Sequence, residues 1–208
     1  MDLDATNSLK KSRPTEEKTM TASTQWIKHK GPKLLSALGI QPNHLVLDFG
    51  CGEGNYTLAS ANQVGKQGRI YAVDDNSSHL KTIKETAKTH QLDNIEYINT
   101  EGSIDLPSSI PPVDTILAFD VLHFFDEKQR KSLYQEFYDH LKKQGTLIIY
   151  PKHTSNNWPM WNLSSLSTTD LTQEINEHKF SLKETKTVQL IHDQQMEKGT
   201  ILIFSKQY

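Results

Sequence analysis

From residue 44 onward the chain alternates between two hydrophobic periods, and that alternation narrows the possible folds more than any other feature. Short apolar runs bounded by turn residues, at 44–49, 69–73, 95–98, 113–119 and 146–150, read as five buried strands. Between them apolar residues recur at helical spacing. Residues 56–61 suit a helix after the first strand, and Leu80, Ile83 and Ala87 share one helical face after the second. Asp126 and Gln129 form a capping box, and Leu133, Phe137 and Leu141 follow at i, i+4 and i+8, with Gly145 expected to end that helix. After a last helix at 171–178, the runs 180–190 and 196–204 are joined by a polar turn too short for a crossover helix. They should pair as an antiparallel hairpin. Strands alternating with helices predict an α/β domain whose parallel sheet is covered on both faces by right-handed crossovers. In such sheets ligands bind beyond the carboxyl ends of the strands.

The first part of the chain has a different character. Residues 1–20 are rich in Lys, Ser, Thr, Glu and Asp without apolar periodicity, as expected of a loosely docked tail. Apolar residues return at Trp26, Ile27, Leu34, Leu35, Leu38 and Ile40; Gly31-Pro32 should separate two short helices, with Gly39 ending the second. The expected division is a tail and possible lid at 1–29 and one domain at 30–208.

Composition excludes several classes. Hydrophobic residues make up 35% of the 208, mean hydropathy is −0.61, and no apolar run approaches the roughly 18 residues of a membrane span. The first residues lack the basic and apolar regions of a signal peptide. Cys51 is the single cysteine, so neither an intrachain disulfide nor a cysteine-built metal site can form, and a reducing cytoplasm is the simplest compartment. The formal net charge is −2, with +3 in residues 1–40 (seven Lys/Arg, four Asp/Glu) and −5 in the rest. A face that holds many phosphates would carry a stronger basic bias, so nucleic acid is disfavoured as a partner.

After the first strand comes Asp48-Phe49-Gly50-Cys51-Gly52-Glu53-Gly54. Its glycines let the backbone turn sharply and approach a ligand closely, and the loop feeds a helix N-terminus that favours anionic groups. A dinucleotide fingerprint would place its third glycine one residue later, where Asn55 stands, which argues against a nicotinamide enzyme. Asp74 ends the second strand, twenty residues beyond Gly54, where a carboxylate can accept two hydrogen bonds from a ribose diol.

These motifs make the chain resemble the class I S-adenosylmethionine-dependent methyltransferases over about residues 30–208. Residues 46–54 match the family's glycine-rich motif and 71–74 its acidic second-strand motif. Residues 141–147 (LKKQGTL) resemble its entry to strand five, with Lys and Gln in place of the usual Pro and Gly. The resemblance implies a Rossmann-like three-layer sandwich with a seven-stranded, mostly parallel sheet and an antiparallel last strand. It implies that S-adenosylmethionine binds along the loop of Gly50, Cys51, Gly52 and Gly54, with Asp48 reaching its ammonium. Asp74 would hold the ribose, Asp75 and Asn76 would lie beside the adenine, and Glu101, Gly102 or Ser103 would meet the adenine edge. Phe119 and Asp120 would lie beneath the reacting methyl. Cys51 matches a residue that is commonly a small packed cysteine in this loop.

Asp120 and His123 stand three apart just past a strand end, where either serves as a base for an acceptor O–H or N–H, or else positions cofactor (Asp120) and packs a helix start (His123). Two expected signatures are absent. The Asn/Asp-Pro-Pro-Tyr segment of amino-group methyltransferases is replaced by Phe119-Asp120-Val121-Leu122. The Asp-Asn pair of metal-dependent catechol enzymes is replaced by Tyr150-Pro151-Lys152-His153, so no metal is expected and His153 reads as a solvated loop residue. Trp158 and Trp161 suggest an apolar substrate wall, with Trp26 as a lid from the other side; the alternative for all three is packing. The sequence thus points to methyl transfer from S-adenosylmethionine to a small or medium-sized acceptor, a small molecule rather than nucleic acid, with no clue to oligomeric state. A non-catalytic S-adenosylmethionine- or S-adenosylhomocysteine-binding regulator and, more remotely, a nicotinamide oxidoreductase are the alternatives.

Overall fold

A computed structural model describes residues 20–192 and 195–207. The expected tail therefore falls almost wholly outside the described residues.

Seven strands form one sheet: β1 (Leu45–Phe49), β2 (Arg69–Asp74), β3 (Ile95–Asn99), β4 (Val113–Phe119), β5 (Leu141–Tyr150), β6 (Phe180–His192) and β7 (Gln195–Lys206). Their order is β3-β2-β1-β4-β5-β7-β6. Pairing is parallel from β3 through β5, and β7 runs antiparallel to both β5 and β6, as the hairpin pattern and the family resemblance require. The helices are α1 (Ala22–Gln25), α2 (Gly31–Ala37), α3 (Asn55–Val64), α4 (Ser77–Thr89), α5 (Glu127–His140) and α6 (Thr168–Asn176).

Successive residues of each central strand feed opposite cores, because side chains alternate across a sheet. Val46, Ile70 and Ile148 pack with Leu35, Leu58 and Ile83 of α2, α3 and α4. Leu47, Ile116 and Ile149 pack with Leu133 and Phe137 of α5 and Leu171 of α6. Each fully buried Leu, Ile or Phe contributes about 1.5–3 kcal/mol, so the two cores stabilise both faces of the sheet.

Arg130, buried on α5, braces this second layer. Its Nε and Nη2 donate to the two oxygens of Glu174 on α6 at 2.8 and 2.7 Å, and Nη1 donates to the carbonyls of Phe125 and Asn162.

Two local expectations are corrected. Gly31-Pro32 does not separate two helices: α1 runs through a π-helical stretch, Trp26–Lys30, directly into α2. Pro32 lies in the first turn of α2, directly after the π-helical stretch. Gly31 belongs there because a Cβ would come 2.5 Å from the Ala59 Cβ of α3, so the two helices touch at backbone distance. Nor does α5 extend to Gly145. It ends at His140, Leu141 turns extended (φ −88°, ψ 138°), and pairing with Val113 makes residues 141–145 part of β5.

Candidate active site

The carboxyl ends of β1, β2, β4, β5 and β6 meet at one edge of the sheet, and two adjoining cavities open there. The first, of about 470 Å³, is lined by Phe49, Gly50 and Gly52 after β1, Asp74, Asp75 and Asn76 after β2, and Gly102 and Ser103 after β3. Asp120 and Phe124 close it. Loop geometry sets its floor. Gly54 is left-handed (φ 84°) and begins α3, and a Cβ there would lie 2.5 Å from Ile83 Cγ1, so only glycine lets α3 pack this closely on α4. The loop is tied to β2 by Asp74, whose Oδ2 accepts from the Gly52 N–H at 2.8 Å. Asp74 Oδ1 accepts from the Asn76 N–H at 2.9 Å and lies 3.1 Å from His79 Nδ1. These contacts hold Asp74 rigid, and Oδ2 keeps a lone pair beyond the Gly52 bond with which it can accept from a diol hydroxyl.

The second cavity, of about 650 Å³, is lined by His123, Phe124, Trp158, Trp161, Lys152, His153 and His192, among others. It shares Asp120 and Phe124 with the first. Asp120 is left-handed (φ 52°) with its N–H bonded to the Tyr150 carbonyl at 2.9 Å, a strained placement that turns its carboxylate into the junction. Three imidazoles surround that carboxylate. His123 Nδ1 and His153 Nε2 each lie 3.3 Å from Oδ1, and His192 Nε2 lies 2.5 Å from Oδ2. Neither imidazole contact to Oδ1 is aligned as a hydrogen bond, and that oxygen is buried without a hydrogen-bond partner among the described residues. Lys152 Nζ contacts His192 Nδ1 at 2.7 Å and Glu197 Oε1 at 3.0 Å, and the Tyr150 hydroxyl donates to the same Glu197 oxygen. The polar chain thus runs from Asp120 to the β7 strand. Burial lowers the pKa of His153 below the ordinary histidine value.

Not every expected residue lines these cavities. Gly50, Gly52, Asp74, Asp75, Asn76, Gly102, Ser103 and Asp120 line the first; Asp120, His123, Trp158 and Trp161 line the second. Asp48 stands behind the loop, fully buried, accepting from Thr57 Oγ1 at 2.6 Å, and burial pushes its carboxyl up to about 6. Cys51 is also buried, 4.0 Å from Asp74 Oδ2, and desolvation raises its thiol far above the ordinary range, so it is a packing residue. Gly54 and Phe119 support the site from below, Phe119 through edge contacts with Tyr56 and Tyr150. Glu101 is exposed and turns outward.

Two expectations are overturned outright. Trp26 is no lid: it is 2% exposed, its Nε1 donates to the Asn55 carbonyl at 3.0 Å, and its ring meets Tyr56 edge-on. The tight α2–α3 contact turns it inward. His153 is no solvated loop residue: it is buried, held by the Trp158 carbonyl, and faces Asp120. His192, His79 and Lys152 join the site without any local motif to announce them.

Comparison with known proteins agrees with this geometry. A methyltransferase-domain family profile matches residues 46–145. A demethylmenaquinone methyltransferase of Bacillus cereus is 25% identical over 115 residues, 55% of this chain and 44% of that protein. A 23S rRNA (uracil(1939)-C(5))-methyltransferase of Alcanivorax borkumensis is 35% identical over 66 residues, 32% of this chain and 14% of its own length. The chain therefore spans less than half the length of these curated relatives. The crystal structure of a SAM dependent methyltransferase from Aquifex aeolicus superposes with a TM-score of 0.70 at 18% identity, covering 91% of this chain and 96% of that one. The profile match, the strand order and the superposition together show that residues 46–145 carry a methyltransferase domain and that the chain has the class I S-adenosylmethionine-dependent methyltransferase fold.

Proposed function

We propose that the chain transfers the methyl group of S-adenosylmethionine to a small-molecule acceptor held in the second cavity. The observation that carries this reading is Asp120, which lines both cavities at once. A methyl donor in the first cavity and a nucleophile in the second would meet across it. The acceptor lone pair forms the new bond to carbon while the carbon–sulfur bond breaks, and its electron pair stays on sulfur as S-adenosylhomocysteine. The sulfonium is already activated, so the chain's part is alignment and exclusion of water. Asp120 supplies negative charge beside the cationic donor, and its imidazole neighbours stand where an acceptor proton must depart.

The size and aromatic walls of the second cavity support a small acceptor, and the acidic balance of residues 41–208 argues against a polyanion. The 23S rRNA enzyme among the relatives keeps a macromolecule as the competing outcome. Among the described residues no helix is long and apolar enough to cross a membrane.

The test is calorimetry with S-adenosylhomocysteine, followed by a screen of thiol, hydroxyl, amine and quinol acceptors read by S-adenosylhomocysteine release. Binding and turnover are expected, with Asp120→Asn lowering kcat at least tenfold. Binding without turnover on any acceptor, RNA included, would leave a cofactor-binding regulator. NADH binding in place of S-adenosylhomocysteine would overturn the proposal altogether.

A further inference from the structure

We propose that Asp120, His123 and His153 form a site for a divalent first-row transition metal ion, with Zn²⁺ the best match to the donor types, on the acceptor side of the junction. Their ligand atoms all lie within 4.8 Å of one another. Asp120 Oδ1 is 3.3 Å from His123 Nδ1 and 3.3 Å from His153 Nε2. An ion about 2.1 Å from each ligand sets neighbouring ligand atoms roughly 3.4 Å apart in a tetrahedron and roughly 3.0 Å apart in an octahedron. Both separations from Asp120 fall between these, and the two histidine nitrogens lie within 4.8 Å of one another, so an ion would draw the two rings together around the carboxylate.

Three independent features point to a cation rather than to plain hydrogen bonding. His153 Nδ1 meets the Trp158 carbonyl at 3.1 Å, an acceptor only, so Nδ1 carries a hydrogen and Nε2 is the nitrogen that faces Asp120. Asp120 Oδ1 is a buried oxygen with no hydrogen-bond partner among the described residues, which is costly unless a positive group satisfies it. The ligands are also held in place from outside, as metal ligands usually are. The His123 ring stacks on Trp161 at 4.5 Å with 20° between planes, the His153 ring meets Trp161 edge-on, and His192 holds the second Asp120 oxygen. Two imidazoles and one carboxylate suit Zn²⁺ and its neighbours rather than Mg²⁺ or Ca²⁺, which prefer all-oxygen sets.

Three protein ligands leave at least one coordination position toward the 650 Å³ cavity. An acceptor thiol or hydroxyl bound there would release its proton to solvent and attack as a metal-held anion, with the carbon–sulfur pair departing onto S-adenosylhomocysteine. This role for the ion rests on the transfer reading above; its binding does not.

The test uses the full chain, stripped of metal with a chelator and titrated calorimetrically with Zn²⁺ alone, with S-adenosylhomocysteine titrated in parallel. One Zn²⁺ per chain is expected. His123→Ala and His153→Ala should each weaken it at least a hundredfold, while His29→Ala, at an exposed position, should leave it unchanged. Thermal unfolding and S-adenosylhomocysteine affinity establish that the variants remain folded, and Co²⁺ substitution gives a visible absorption band as a second readout. No saturable binding of Zn²⁺ or Co²⁺ by the folded wild-type chain, or binding indifferent to both histidine variants, would overturn the site. A chain that binds S-adenosylhomocysteine but no metal loses this inference alone; one that binds metal but no S-adenosylhomocysteine loses the transfer reading instead.

Discussion

The Gly52 amide donates to Asp74 Oδ2 at 2.8 Å, so the loop after β1 and the acid at the end of β2 are one hydrogen-bonded unit. If Asp74 holds the cofactor ribose, as the sequence motif implies, the diol would bind against a carboxylate already fixed in place. Hydrogen bonds to a charged acceptor contribute about 1.5–3 kcal/mol. Asp74→Asn removes the charge while keeping the shape, and should raise the S-adenosylhomocysteine Kd about 10- to 100-fold in calorimetry. A Kd within twofold of wild type would show that the ribose does not bind there.

Asp48 gives the pH dependence a definite sign. Its folded pKa is raised to about 6 by burial, against an ordinary value of 3.8. Its contribution to stability is therefore most favourable below pH 3.8, declines as pH rises through 6, and is constant above that. Asp48→Asn keeps an oxygen for the Thr57 hydroxyl and removes the ionisation. The variant should gain stability relative to wild type by roughly 3 kcal/mol between acid and neutral pH. Urea unfolding of both proteins at pH 4.5, 6 and 7.5 checks this, since other titrations cancel in the difference.

Gly54 and Gly39 separate two costs that a left-handed glycine can carry. Both have positive φ (84° and 101°), but a Cβ at Gly54 collides with Ile83 whereas one at Gly39 meets nothing within 4 Å. Gly39→Ala should cost about 1 kcal/mol from backbone strain alone, and Gly54→Ala about 3 kcal/mol or more. Adding Ile83→Ala to Gly54→Ala should recover part of the steric share. A double-mutant cycle by chemical denaturation reads that coupling.

Arg130→Met leaves Glu174 without its buried partner, in contact only with the Tyr134 hydroxyl among the bonds seen here. Removing one member of such a pair costs about 3–5 kcal/mol. Because Arg130 also holds the Asn162 carbonyl, and Asn162 Nδ2 donates to the His123 carbonyl, loosening should reach the second cavity. A lower Tm together with increased hydrogen exchange at residues 158–163 is the expected result.

Most of the architecture was legible because it is written in short-range pattern. The short apolar runs marked β1 to β4, the capping box at Asp126 marked α5, and the short polar turn before Met196 marked the hairpin. Patterning misled where two states share one apolar rhythm: Leu141 satisfies both the i+8 position of a helix and the inward face of a strand. Its pairing with Val113 decides between them. Gly31-Pro32 misled for a related reason, since a helix break and a first-turn proline look alike until packing against Ala59 is known.

The site divides along the same line. The sequence by itself determined the lining of the first cavity, because Gly50, Gly52 and Asp74 lie at strand ends whose spacing along the chain follows from one βαβ unit. Tertiary structure alone decided the other side. His153 and His192 reach Asp120 only because β5 and β6 end at the same edge of the sheet as β4, and Trp26 faces inward only because α2 packs on α3. Periodicity records which face of an element is buried. It does not record which distant residue lies across from it, and the chemistry around Asp120 is made of such contacts.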